Sequence, residues 1–101
     1  MRLHPEIAQA LQTHQAIVAL ESTVITHGLP RPMNLQLAQK LEETVRQVGA
    51  IPATIAILKG EVVVGLTSDE LKAIAADDSA DKASLWNLGA LVAQGKSAGT
   101  T

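Results

Sequence analysis

The sequence contains no cysteine, no phenylalanine and no tyrosine, and Trp86 is its only aromatic residue. Without cysteine there are no disulfides and no thiolate zinc sites. Without other aromatic rings the core has to be built from aliphatic side chains, for which a hydrophobic content of 47% suffices. Charge is sparse as well. The formal net charge is −2, and the basic residues form no cluster. That argues against a nucleic-acid-binding face and against a polybasic membrane surface. No apolar run approaches the roughly 20 residues that span a bilayer. The opening MRLHPEIAQALQ lacks the apolar centre of a signal peptide. These missing signals predict a soluble cytoplasmic protein, and 101 residues leave room for one small domain.

What is present is periodic. Pro5 suits the first turn of a helix, and Ile7, Ala8 and Leu11 make one apolar stripe, so a short helix is expected over 5–14. Residues 16–20 read as a strand, with Ile17 and Val18 favouring β structure. Gly28, Pro30 and Pro32 make THGLPRP a loop. Asn34 is a good N-cap, and Leu35, Ala38, Leu41, Val45 and Val48 give an amphipathic helix over 34–48, ended by Gly49. The β-rich runs 53–58 and 62–64, joined through Lys59-Gly60-Glu61, predict a hairpin. Thr67 and Glu70 form a capping-box pattern that opens a helix through Leu71, Ile74 and Ala75. Residues 77–87 read as loop and 88–94 as helix.

The expected order is therefore αβαββαα, an α/β fold. One buried-type strand and one hairpin make a thin sheet, since stable sheets usually carry about 4–6 strands. QAIVAL, apolar on both faces, calls for parallel neighbours with helices on both sides. The chain offers few of these, which predicts a fragment of a larger α/β/α sheet fold. Residues 1–101 are then an incomplete part of a single domain.

The chemistry sits in ALESTVITHGLPRP. A carboxylate at the end of a buried strand is costly unless it is paired, hydrogen-bonded or used. Glu21 either caps local amides or serves as a general acid or base, because strand ends face the crevice where α/β proteins bind ligands. Ser22, Thr23 and Thr26 stand ready to hydrogen-bond it or a substrate. His27 reads first as a loop histidine bonding locally. His4, His14 and His27 are too dispersed for a metal site, and Asp77, Asp78 and Asp81 lack the calcium-loop pattern. Gly95-Lys96-Ser97 resembles the end of a phosphate-binding loop. However, Ala90 stands where that loop needs glycine, and the preceding segment is helix-like. Exposed amides in SAGTT would form a phosphate cradle if a helix starts there. Lys82, on residue chemistry alone, is a surface lysine.

Three segments, ALESTVITHGLPRPMN, VGAIPATIAILKGEVVVGL and KASLWNLGALVAQGKSAGTT, together resemble the N-terminal part of the pseudouridine-5′-phosphate glycosidase family, also called indigoidine synthase A-like. The resemblance runs from about Leu11 to Thr101. It implies reversible cleavage of the C–C glycosidic bond of pseudouridine 5′-phosphate to uracil and ribose 5-phosphate, a manganese ion and a homotrimer. It implies that Glu21 is the proton-transferring glutamate. It also implies that Lys82, in K-x-S, binds substrate near its phosphate, and that Thr100 and Thr101 lie at the phosphate-binding end. Leu85, Trp86 and Asn87 replace the two basic residues and the acid that often follow K-x-S in the family. The family's imine-forming lysine, which holds the sugar carbon as an imine when the C–C bond breaks, and its metal-binding aspartates correspond to positions beyond Thr101. The alternatives are a phosphate-ligand-binding module built on SAGTT and Lys82, and a non-catalytic structural fragment.

Overall fold

The computed structural model describes residues 1–101. In chain order the elements are β1 (Arg2–Leu3), α1 (Pro5–Gln12), β2 (Ile17–Leu20), a π-helical turn (Val24–Gly28), α2 (Met33–Gln47), β3 (Ile51–Leu58), β4 (Glu61–Val64), α3 (Ser68–Ala75), β5 (Asp81–Lys82), α4 (Leu88–Ala93) and β6 (Ala98–Gly99). The expected helices and the three longer strands are all found. The order αβαββαα needs correcting by three additional strands, β1, β5 and β6, each two residues long. Such strands carry no periodicity, and Lys and Gly are poor strand formers. Their place is set by partners far along the chain. The sheet has six strands, not the thin set expected.

β3 organises everything else. The β3–β4 hairpin turns through Lys59 and Gly60, both with positive φ (48° and 83°), the conformation a two-residue hairpin loop needs. Gly60 cannot be replaced cheaply, because a Cβ there would lie 2.7 Å from the Val92 carbonyl oxygen. β4 takes β1 as a parallel neighbour on its outer side. Side chains of β3 alternate between two layers. On one face Ala56 joins Ile25, Ala38, Val63, Leu66, Leu71, Ile74 and Ala75, under α2, α3 and the π turn. On the other, Ile57 packs with Ala83, Leu91 and Ala98 under α4. Helices on both faces of a mixed sheet make this an α/β/α arrangement, with a core that is wholly aliphatic.

Two local features bear on the site. Asn34 is not the N-cap of α2. It lies inside the first turn, 4% exposed, and its amide donates to the carbonyls of Ile25 (3.1 Å) and Ala75 (2.8 Å). Its side-chain oxygen accepts from Leu35 N–H at 2.8 Å, so the side chain serves the helix start locally while its amide ties the π turn to the end of α3. Arg31 adds a bond from Nη2 to the Ala76 carbonyl at 2.7 Å. The Thr67–Glu70 capping box does form, with Thr67 N–H donating to Glu70 (2.9 Å) and Glu70 N–H to the Thr67 hydroxyl (3.1 Å).

Arg2 on β1 pairs with the same Glu70 carboxylate. Partial burial works against the charged form of Glu70, but the Thr67 amide and Arg2 outweigh it and hold its pKa below the usual 4.5. A depressed carboxylate pKa gives stability that is present above the unfolded value and is lost as pH falls through the folded one. The Glu70→Gln variant is therefore expected to lose less stability than the parent as pH drops below about 4.5. Denaturant midpoints on both sides of that pH check this, and parallel losses in the two proteins would contradict it.

Candidate active site

The two chain segments that carry the candidate residues meet at one carbonyl. β2 runs parallel to β3 alongside residues 51–54, with Leu20 opposite Thr54. β6 runs antiparallel to β3 alongside 56–57, with Gly99 opposite Ala56. Both lie on the same edge of β3, so β2 and β6 point at each other and their C-terminal ends meet at Ile55. Neither strand can pair with the Ile55 carbonyl, and hydroxyls take over. Ser22 Oγ and Thr100 Oγ1 each donate to it at 2.6 Å. A partly buried acceptor that neither strand reaches is thereby satisfied.

The junction is sewn further by the backbone. The N–H groups of Ser22 (2.8 Å) and Thr23 (3.1 Å) both donate to the Thr100 carbonyl, and Thr100 N–H donates back to Ser22 Oγ at 2.9 Å. Thr23 and Thr101 hydroxyls lie 2.9 Å apart. The π turn begins directly after this knot, because the chain must leave the sheet where β6 blocks it. Gly99 is required by that close approach. A Cβ on it would lie 2.3 Å from Thr26 Oγ1 and 3.0 Å from the Ser22 carbonyl oxygen. Gly99→Ala is expected to cost about 1–3 kcal/mol, the usual range for overpacking. A lowered midpoint in a thermal melt checks it, and an unchanged midpoint would contradict the packing described.

Glu21 and Thr101 flank this knot and are both exposed. With Ala19, Leu20, Ile55 and Thr100 they line an open concavity of about 540 Å³. The burial expected for Glu21 is not found, because β2 is an edge strand whose outer side is open. Lys82 is also exposed, and it lies on β5, a strand, not in the expected loop. β5 pairs with β6 so that Lys82 stands level with Gly99, one residue before Thr100. Glu21, Thr100 and Thr101 thus share one concavity, while Lys82 is held one strand away, outside its lining.

The remaining candidates resolve into local contacts. His27 is exposed, with Nδ1 at 2.7 Å from Thr26 Oγ1. Asp77 accepts from the Ser79 hydroxyl (2.6 Å) and amide (2.9 Å), which hold its pKa below the usual value. Asp78 pairs with Arg31 and Asp81 with Lys96. Ser97 Oγ accepts from Lys59 N–H at 3.0 Å. No helix begins in SAGTT. Ala98 and Gly99 are strand and the Thr100 amide is used at the junction, so the helical phosphate cradle is corrected. The role of Ser22 was not readable beforehand, since its partner Thr100 is 78 residues away.

Residues 6–101 match the family model described as indigoidine synthase A like protein. The chain belongs to the indigoidine synthase A-like family. A pseudouridine-5′-phosphate glycosidase of Thermus thermophilus is 64% identical over 84 residues, covering 83% of this chain and 30% of that protein. Another, of Dinoroseobacter shibae, is 50% identical over 99 residues, covering 98% of this chain and 32% of that protein. Among solved structures, an indigoidine synthase A-like protein of Thermotoga maritima superposes with a TM-score of 0.78 at 39% identity, over 86% of this chain and 30% of the other. The prealnumycin C-glycosynthase AlnA, in complex with ribulose 5-phosphate, gives 0.81 at 36% identity, over 99% and 32%. The chain spans about a third of the length of the curated relatives it matches. No helix is long and apolar enough to cross a membrane.

Proposed function

We propose that residues 1–101 are the N-terminal portion of a pseudouridine-5′-phosphate glycosidase, which reversibly converts pseudouridine 5′-phosphate and water into uracil and ribose 5-phosphate. The observation that carries this reading is the convergence of Glu21, Thr100 and Thr101 on one concavity, in a chain of this family. When the base–sugar bond breaks, its electron pair stays on the base carbon, which must take up a proton. Glu21, at the open end of β2, is the group that delivers it and takes it back in the reverse direction. Thr101 and Lys82 bind the phosphate end, and Thr100 fixes the backbone from which Thr101 projects. The relative that binds ribulose 5-phosphate supports a sugar phosphate as the class of ligand.

The resemblance also implies manganese and a homotrimer for the complete enzyme, and the missing targeting and membrane signals support a cytoplasmic location. In this chain no three His, Asp or Glu side chains converge on a point that would hold an ion. The residues present do not fit the metal, and no step here runs through it.

The test is to extend the chain with the part of the Thermus thermophilus glycosidase that follows its matched segment. Incubation with pseudouridine 5′-phosphate and manganese is expected to release uracil, and an extended chain that folds without releasing any would overturn the reading. In the same protein, Lys82→Ala is expected to weaken binding of pseudouridine 5′-phosphate by about 1.5–3 kcal/mol, the worth of a charge-assisted hydrogen bond. Binding of unphosphorylated pseudouridine should change little. Equal losses for both ligands by calorimetry would remove Lys82 from the phosphate end.

A further inference from the structure

We infer that Ser22 is a positioning residue that locks the proton-transferring Glu21 against the phosphate-end segment, an inference that rests on the function proposed above. Ser22 is fully buried, at 0% exposure, although it sits between two partly or fully exposed neighbours. Its hydroxyl uses both of its capacities. It donates to the Ile55 carbonyl and accepts from Thr100 N–H, while its own amide donates to the Thr100 carbonyl. Ser22 and Thr100 are therefore joined by two opposed bonds, and both hydroxyls are anchored on one carbonyl of the central strand. Glu21 precedes one partner and Thr101 follows the other. Each exposed group is one residue from the same buried clamp, so neither can shift along the sheet edge without breaking it.

Geometry of this kind matters when a proton must reach one carbon of a substrate held at its other end. A misplacement of about 1 Å can cost on the order of 10²-fold in rate. Ser22→Ala keeps the side-chain volume nearly unchanged. It leaves Thr100 N–H without its acceptor and Ile55 with one hydroxyl fewer. The end of β2 is then free to drift relative to Thr101.

The experiment is a double-mutant cycle in the extended, uracil-releasing protein. Ser22→Ala is expected to lower kcat by roughly 10–100-fold with KM for pseudouridine 5′-phosphate nearly unchanged, because the loss lies in orientation, not in binding. In a Glu21→Ala background the same substitution is expected to add little further loss, since there is no carboxyl left to orient. Circular dichroism checks the folding of each variant. If Ser22→Ala does not fold, Ser22→Cys, which keeps a weakly polar group at the clamp, takes its place in the cycle. Unchanged kcat in the single variant, or a full additional loss in the Glu21→Ala background, would overturn the positioning role and leave the role of Glu21 standing. Undiminished turnover by Glu21→Ala alone would overturn that role and this inference with it.

Discussion

Replacing Glu21 by alanine in the extended protein is expected to cut uracil release by about 10²–10⁴-fold, the usual worth of a positioned acid or base. The size of the effect can be attributed to chemistry because the side chain contributes little to the fold. Glu21 is exposed, no side chain hydrogen-bonds it, and the junction beside it is held by Ser22, Thr100 and Ile55 without its carboxylate. Surface substitutions away from such networks usually change stability by no more than about 0.5 kcal/mol. The Glu21→Gln variant sharpens the test. It keeps the shape and hydrogen-bonding capacity but cannot deliver a proton, so it should fall with alanine. Uracil release and pseudouridine 5′-phosphate affinity measured side by side decide it. Near-normal turnover in either variant, with folding intact, would remove Glu21 from the reaction.

How far the fold could be read from residues depended on the range of the interactions. Helix α2 declared itself through its three-to-four-residue stripe, α3 through its capping box, and the hairpin through Lys59-Gly60, since each of these signals lies within one element. The strands β1, β5 and β6 did not. Arg2 pairs with Val63 and Asp81 with Ala98, and nothing local specifies such partners. Asn34 misled for a related reason. An asparagine before an apolar stripe is a capping signal, but burial supplied acceptors on two other elements.

The candidate site divides in the same way. Glu21 stood out on chemistry, as a carboxylate closing an apolar strand. Lys82, Thr100 and Thr101 stood out only by resemblance, because a lysine after an acidic loop and two threonines after Gly99 have no distinctive spacing. The end-to-end meeting of β2 and β6, which brings Glu21 to Thr101, follows from opposite strand directions along one edge. Strand direction is a property of topology, not of any short stretch of residues.

The isolated 101-residue chain is expected to self-associate. β2 pairs with β3 on one side and with nothing on the other, so a row of backbone donors and acceptors over Ile17–Leu20 is left open. Natural edges are usually blunted by lysine, proline or a bulge, and IVAL has none of these. Val18 on that strand is 38% exposed, and beyond β5 the adjacent Leu85 and Trp86 are 93% and 96% exposed. At about 25 cal/mol per Å² of apolar surface, a few hundred Å² left wet forfeits several kcal/mol, against a native stability of only about 5–15 kcal/mol. Pairing β2 with another copy removes part of that exposure and satisfies the open ladder, so association is favoured as concentration rises. Val18→Lys places a charge on the exposed side of the strand and is expected to shift the chain back towards monomer. Sedimentation of both proteins across a concentration series checks this. A parent chain that stays monomeric throughout, or association undiminished by Val18→Lys, would show that the open edge of β2 is not what drives it.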